Sequence, residues 1–271
     1  ISPKFTLTYK PNRDWMIFAT ASRGFKSGGT QTTNSTALTN EFKPETLWNY
    51  ELGTKFDLFD NRVRVDITGF YMDWKDVQQT IRFQFIDPVT GLLRGVSGIA
   101  NAASAESYGV EASFDARITD HWTLGGNVGF NKSKYKDYPN ALIDGVVIDI
   151  SGEQLTNAPE WTLGAQTQYT LPLGDRFEAF VRAEWNYRDA MISNPYYYLY
   201  KNVAGEPFTS PAYHNVNLRL GVEDDRMRAV VFVENLFDED YYANAYEKAF
   251  YSGVQVEPSY RVFGVSLGYK F

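Results

Sequence analysis

Cysteine is missing from the sequence altogether, which excludes a disulfide framework and any zinc or iron–sulfur site built on thiolates. It does not fix the compartment, because an oxidising space permits disulfides without requiring them. No run of about 18 apolar residues occurs, so no membrane-spanning helix is expected. The opening Ile1-Ser2-Pro3-Lys4 has neither the basic nor the apolar region of a signal peptide. The expectation is therefore a chain that starts within a longer protein or after processing. Basic charge is not in excess, the net value being -7, so nothing points to nucleic acid. No phosphate-binding glycine loop sits on a strand–helix junction, and the acidic run 223–225 lacks the alternating oxygen-ligand spacing of a calcium loop. No cofactor and no metal is expected.

Aromatic residues, by contrast, make up 16% of the chain. The mean hydropathy of -0.37 would suggest a soluble protein, but that inference fails for membrane barrels, whose strands alternate apolar and polar residues. Alternation is the dominant signal. A strand sends successive side chains to opposite faces. Phe263, Val265, Leu267, Tyr269 and Phe271 oppose Gly264, Ser266, Gly268 and Lys270. Val216, Leu218, Leu220 and Val222 oppose Asn215, Asn217, Arg219 and Gly221. The pattern recurs upstream, for example at Trp122, Leu124, Val128 and Phe130, at Tyr108, Val110, Ala112 and Phe114, and at Trp48, Tyr50, Leu52 and Phe56. Segments 14–24 and 226–236 are apolar on both faces, so their faces stay unassigned. No segment has a convincing helical period. The pattern predicts about eleven strands, over 3–10, 14–24, 45–58, 62–77, 104–119, 121–136, 159–171, 176–190, 212–223, 226–237 and 258–271.

The connections alternate as well. Short turns fall at 11–13, 59–61, 119–121, 172–175 and 223–226. Long segments of about 20 residues fall at 25–44, 78–103, 137–158, 191–211 and 238–257, and such lengths are uncommon in compact soluble domains. Short periplasmic turns and long extracellular loops are the outer-membrane pattern. If the last strand ends on the periplasmic side, every short turn is periplasmic. Trp15, Phe56, Trp122, Tyr169, Phe177 and Tyr269 flank the short turns, where amphipathic rings suit a lipid–water interface. The fold class expected is an all-β, antiparallel transmembrane β-barrel. An odd strand number does not match single-chain bacterial barrels, and an open sheet edge in lipid leaves backbone groups unsatisfied, so further strands are needed. A miscount giving a self-sufficient barrel of about ten or twelve strands is the alternative.

Several motifs resemble those of TonB-dependent outer-membrane receptors of the iron-complex type. Ser22-Arg23-Gly24-Phe25-Lys26-Ser27-Gly28-Gly29 is similar to a strand end and loop start of that family. Pro44-Glu45 with Tyr50-Glu51-Leu52-Gly53-Thr54-Lys55 resembles its P-E…Y-E-x-G-x-K strand. Gly109-Val110-Glu111, Asn157-Ala158-Pro159, Asn235-Leu236-Phe237-Asp238 with Tyr241-Tyr242, and the closing strand from Tyr260 to Phe271 follow in family order. The resemblance implies a barrel of roughly 22 strands, plugged by an N-terminal domain, that imports a scarce nutrient with energy relayed through TonB. Residues 1–271 would be the C-terminal half of that barrel. The plug and the first barrel half have no counterpart in this sequence. The implied partners are outer-membrane lipid, the plug, TonB acting through it, and a small-molecule ligand such as a ferric chelate.

Candidate ligand contacts are aromatic and cationic residues of the long segments. Tyr196, Tyr197, Tyr198 and Tyr200 could stack on a ligand or, equally, on one another. Tyr241, Tyr242, Tyr246, Phe250 and Tyr251 form a second group. Arg82, Arg94 and Arg188 could attract an anionic chelate. The lumen-facing set is Glu51, Lys55, Arg64, Asp66, Glu111, Asp115, Arg117, Arg182, Glu184 and Arg219, which suits wall salt bridges and plug contacts. An enzyme is not expected: His214 with Ser210 and an acid could imitate a hydrolase set, but His121 should lie across the membrane from it. A passive porin half, an importer of a vitamin, sugar or aromatic compound, an outer-membrane enzyme and a soluble carbohydrate-binding sandwich remain the competing readings.

Overall fold

The computed structural model describes residues 1–32, 38–87, 90–101, 104–143, 145–193, 195–200, 209–247, 254–258 and 260–270. Its frame is one eleven-stranded sheet. The strands are β1 (Lys4–Tyr9), β2 (Trp15–Lys26), β3 (Glu45–Leu58), β4 (Val63–Lys75), β5 (Ser104–Arg117), β6 (Trp122–Asp137), β7 (Trp161–Leu173), β8 (Phe177–Arg188), β9 (Tyr213–Glu223), β10 (Met227–Glu234) and β11 (Val262–Tyr269). Each pairs antiparallel with its sequence neighbours. β1 and β11 form the two edges, so the described sheet does not close on itself. That disposes of the self-sufficient small barrel.

Register places the alternating apolar residues on one face, and that face is open. Leu52 is 65% exposed, Leu171 51%, Leu220 48% and Val231 50%. No second sheet covers them among the described residues, as a soluble sandwich would require. An apolar surface of this extent suits lipid rather than water. Near the short turns the indole of Trp15 donates to Thr54 Oγ1 at 2.9 Å, and the indole of Trp122 donates to Thr167 Oγ1 at 2.8 Å. In both cases a tryptophan satisfies its N–H on the neighbouring strand while its ring stays exposed.

The faces of β2 and β10, unassigned from sequence, follow from their partners. Ala19 pairs with Leu52 and Val231 with Val265, so these point outward. Phe18 pairs with Gly53 and Phe232 with Gly264 on the inner face. A Cβ on either glycine would run into the opposing phenylalanine ring. These inward phenylalanines cover bare backbone, which is why both faces of the two segments read as apolar.

Local chemistry sets the turns. Phe59, Asp60 and Asn61 all have positive φ, at 54°, 55° and 65°. Asp and Asn tolerate that region, whereas a phenylalanine rarely does. The turn after β7 is shorter than the sequence suggests: Pro172 and Leu173 continue the strand opposite Glu178 and Phe177, and Gly174 takes the bend at φ 68°. Asn235, at φ 53° and 2% exposed, accepts from the Glu239 amide and donates to the Glu239 carbonyl. That bracket is the physical content of the Asn235-Leu236-Phe237-Asp238 motif.

The long connections are not bare loops. Each carries a short hairpin: Gly29–Thr30 with Glu41–Phe42, Gln78–Ile86 with Leu93–Asn101, Ala141–Ile143 with Val146–Ile148, Met191–Ile192 with Thr209–Ser210, and Tyr242–Glu247 with Val254–Pro258. A single helical turn, Tyr196–Tyr200, is also present, where no helical period was expected. The buried apolar clusters lie in this crown and in the strand ends that carry it. One joins Val77, Tyr135, Tyr138, Ile143, Ile150, Ile192 and Tyr198. The other joins Leu38, Ile81 and Val96. The Gln31 side chain ties the first connection to the long hairpin, accepting from the Ile99 amide and donating to its carbonyl, both at 2.7 Å.

Candidate functional site

The inner face carries charges in a cross-strand network. Lys55 lies 3.1 Å from Asp66, and Arg64 2.8 Å from Asp57. Arg182 and Arg219 stand directly opposite each other in the β8–β9 ladder. Like charges so placed repel, and Glu184 bridges them, 2.8 Å from Arg182 and in contact with Arg219. Gln166 accepts from Arg182 at 2.5 Å, and Glu234 lies 3.8 Å from Arg219. Glu51 accepts from Asn49 at 2.7 Å. Glu111, Asp115 and Arg117 are exposed on this face and make no salt bridge among the described residues.

At the hairpin end of the inner face, two residues expected from separate loops come together. The Arg188 guanidinium lies 4.7 Å from the Tyr213 ring centre. Tyr241 stacks on the same Tyr213, with centroids 4.1 Å apart and planes 11° off parallel. Asn215 donates to the Tyr241 hydroxyl at 3.0 Å. Such stacked pairs contribute about 0.5–1.5 kcal/mol each, enough to hold an aromatic shelf without a ligand. A cation beside flat aromatic rings can take a planar or anionic solute. Sequence reading did not single out Tyr213. Its parity with Asn215, Asn217 and Arg219 was visible, but its contact with Tyr241 needs the folded connection.

The other candidates are dispersed. Tyr198 is 6% exposed and donates its hydroxyl to the Gln154 carbonyl. It packs edge-on against Tyr135 and Tyr197, and loss of solvent raises its phenol pKa above the ordinary value. Tyr197 is half-buried against the same cluster. At these two positions the loop packs into the crown, against Tyr135 and the 137–158 connection. Arg94 is held 2.6 Å from Asp87 near the tip of the long hairpin. The backbones of Tyr196 and Tyr200 belong to the helical turn, that of Arg82 to the long hairpin, and those of Tyr242 and Tyr246 to the last one; their side chains, together with Phe250 and Tyr251, lie outside the described residues.

The hydrolase-like set does not assemble. His214 sits on the outer face between Trp185 and Tyr187, its Nδ1 accepting from the Trp185 indole at 3.3 Å. Ser210 is fully buried, and His121 lies in a short turn at the other end. Among the described residues no group of His, Asp and Glu is placed to hold a metal.

Comparison with known proteins agrees with this geometry. A family model described as TonB dependent receptor-like, beta-barrel, matches residues 1–236. The chain is 25% identical over 254 residues to the metal-pseudopaline receptor of Pseudomonas aeruginosa, covering 90% of this chain and 30% of that protein. It is 25% identical over 252 residues to a probable TonB-dependent siderophore receptor of Acinetobacter baumannii, covering 89% and 30%. Among solved structures, the ferric yersiniabactin uptake receptor of Yersinia pestis matches with a TM-score of 0.74 at 20% identity, over 99% of this chain and 37% of that one; that likeness concerns the fold. The chain spans about 30% of the length of the curated relatives it matches.

Proposed function

The chain belongs to the TonB-dependent receptor β-barrel family, and from that premise we propose that residues 1–271 form the C-terminal half of the barrel of an outer-membrane receptor that imports a scarce nutrient, a ferric siderophore first of all. The short turns face the periplasm and the crown faces the exterior. The first barrel half and a plug domain supply the missing strands and fill the lumen, and TonB acts through the plug. The exposed carboxylate of Glu111, the guanidinium of Arg117 and the Glu51 carboxylate, which is held by Asn49, are offered to plug contacts, while the Lys55–Asp66 and Arg182–Glu184–Arg219 links hold the wall. The role is transport, not catalysis.

The observation that carries recognition of a specific solute is the shelf of Arg188, Tyr213 and Tyr241 at the mouth of the lumen. Its preformed cation and aromatic planes suit an anionic chelate with flat donor groups. Relatives named as receptors for a metal complex and a siderophore support the same class. The test is uptake of radioactive iron, supplied as a panel of ferric chelates, by iron-limited cells with and without the full-length receptor. Uptake that needs the receptor and stops with a protonophore supports the reading. Receptor-dependent permeation that ignores the protonophore would support a passive channel instead.

A further inference from the structure

The outer face changes character above its apolar band. Register sets Ala21, Tyr50, Tyr71, Tyr108 and Lys132 in one row across β2 to β6, and Arg23, Trp48, Asp73, Glu106 and Lys134 in the next. Lys75, Ser104 and Asp137 share the row beyond. The rings form a ladder: Trp48 stacks on Tyr50 with centroids 6.0 Å apart, and Tyr50 on Tyr71 at 6.5 Å. Below Lys132, the rings of Phe130 and Trp161 lie 4.8 Å apart. From Trp122 to Lys132 strand β6 runs about 33 Å. At a strand tilt of about 40° that is about 25 Å across the bilayer, the height of a barrel's apolar band. The charges therefore begin where hydrocarbon ends, at the edge opposite the short turns.

The carboxylates of this patch sit low and the cations stand out. The Glu106 and Asp73 side chains are 16% and 23% exposed, against 44% for Lys134 and 39% for Lys136. Glu106 holds Lys134 at 3.3 Å and accepts from the Tyr71 hydroxyl at 3.1 Å, while Asp73 holds Lys136 at 3.0 Å. An ammonium has more N–H donors than one carboxylate uses, so both lysines are oriented with donors to spare. Arg23, Lys75 and Lys132 are exposed, and their side chains make no ion pair among the described residues. Arg23, Lys75, Lys132, Lys134 and Lys136 outnumber Asp73, Glu106 and Asp137 here, in a chain whose net charge is -7. Cations in excess of the local carboxylates, on a wall that faces lipid, are placed to meet an anion that the membrane supplies.

We propose that this patch binds a phosphate-bearing lipid of the outer leaflet: its acyl chains lie against Tyr108, Phe130 and Trp161, and its phosphate oxygens accept hydrogen bonds from Lys132, Lys134 and Arg23. From β2 to β6 the patch spans about 19 Å, wide enough for a headgroup with more than one phosphate. A free phosphate would make no use of the aromatic ladder beneath the cations. The inference rests on the outer-membrane placement proposed above.

The test titrates the full-length receptor, purified in detergent and stripped of lipid, with a bisphosphorylated, acylated glucosamine disaccharide (lipid A), its monophosphorylated form and the same lipid without phosphate. Native mass spectrometry reads the bound lipid. Affinity should rise with each phosphate, and the paired substitution Arg23→Gln with Lys132→Gln should weaken the bisphosphorylated lipid about tenfold. Neither side chain makes an ion pair, so the unfolding temperature should not move. Lys10→Gln with Arg13→Gln, exposed cations at the turn end, should leave binding as it was. Equal binding of all the lipids overturns the site. Displacement of the bound lipid by inorganic pyrophosphate at matched phosphate concentration overturns a lipid as its occupant. A loss in the turn-end pair as large as in the patch pair reduces the binding to general charge attraction and overturns the site equally. A full-length receptor that alkaline carbonate extracts from cell membranes without detergent overturns the membrane placement itself.

Discussion

Arg176 Nε lies 2.6 Å from Asp224 Oδ2, joining the turn after β7 to the turn after β9. The other oxygen of the same carboxylate accepts from the amides of Met227 at 2.6 Å and Arg226 at 2.9 Å. Those two backbone bonds, and then Arg176, hold the Asp224 pKa down at about 2. A depressed carboxylate contributes stability that is fully present above its unfolded value, near 3.9, and lost as pH falls through the folded one. Amide exchange at Met227 and Arg226 should therefore accelerate as pH falls from about 4 towards 2, beyond the intrinsic trend. In Asp224→Asn both amides should exchange faster at neutral pH, and the difference from the parent should shrink in acid. A gap that stays constant down to the lowest pH would refute the linkage.

Glu184 separates two guanidiniums that face each other across β8 and β9. Glu184→Gln should destabilise the full-length receptor by about 2 kcal/mol, the scale of a charged hydrogen bond. Adding Arg182→Gln should restore part of the loss, because the repulsion goes with it. Thermal unfolding in detergent reads both. A double variant less stable than the single would argue against the bridging role.

Tyr198 distinguishes a crown residue from a ligand contact. Tyr198→Phe loses the bond to the Gln154 carbonyl and should cost about 1 kcal/mol locally, leaving chelate affinity unchanged. Tyr198→Ala empties a buried site and should cost about 3 kcal/mol or more, seen as faster protease cleavage between 137 and 158. Loss of affinity in the phenylalanine variant, with the crown still protease-resistant, would move Tyr198 into the binding site.

The shelf makes the opposite prediction. Tyr213→Leu removes the ring on which both Arg188 and Tyr241 rest. Affinity for whichever ferric chelate the uptake screen identifies should fall about tenfold, or ~1.4 kcal/mol, with only a small fall in unfolding temperature from the lost ring stacking. Titration of the purified receptor with that chelate measures it.

Much of the frame was legible because a strand has a period of two and an interface to satisfy. Leu218, Leu220 and Val222 could point only one way once Asn217 and Arg219 were opposite. β2 and β10 were opaque because Phe18 and Phe232 answer to a glycine on another strand, a relation that a single segment does not contain. The crown was hidden for a similar reason. Tyr198 reads as an available aromatic until Tyr135 and Gln154, both far away in sequence, close over it. The shelf was half visible: Arg188 and Tyr241 are conspicuous residue types, but only the folded last connection lays one tyrosine on another.

The two tryptophans near the turns donate their indole N–H groups to threonines of the protein itself. A ring whose only donor is already used has no polar bond left to make with a phospholipid headgroup. What remains is its shape and its apolar surface, which respond to where hydrocarbon ends rather than to which headgroup lies beyond. In the outer-membrane setting proposed above, the sheet is thus registered against one edge of the hydrocarbon at these points, and should sit at the same depth when the lipid headgroups are exchanged.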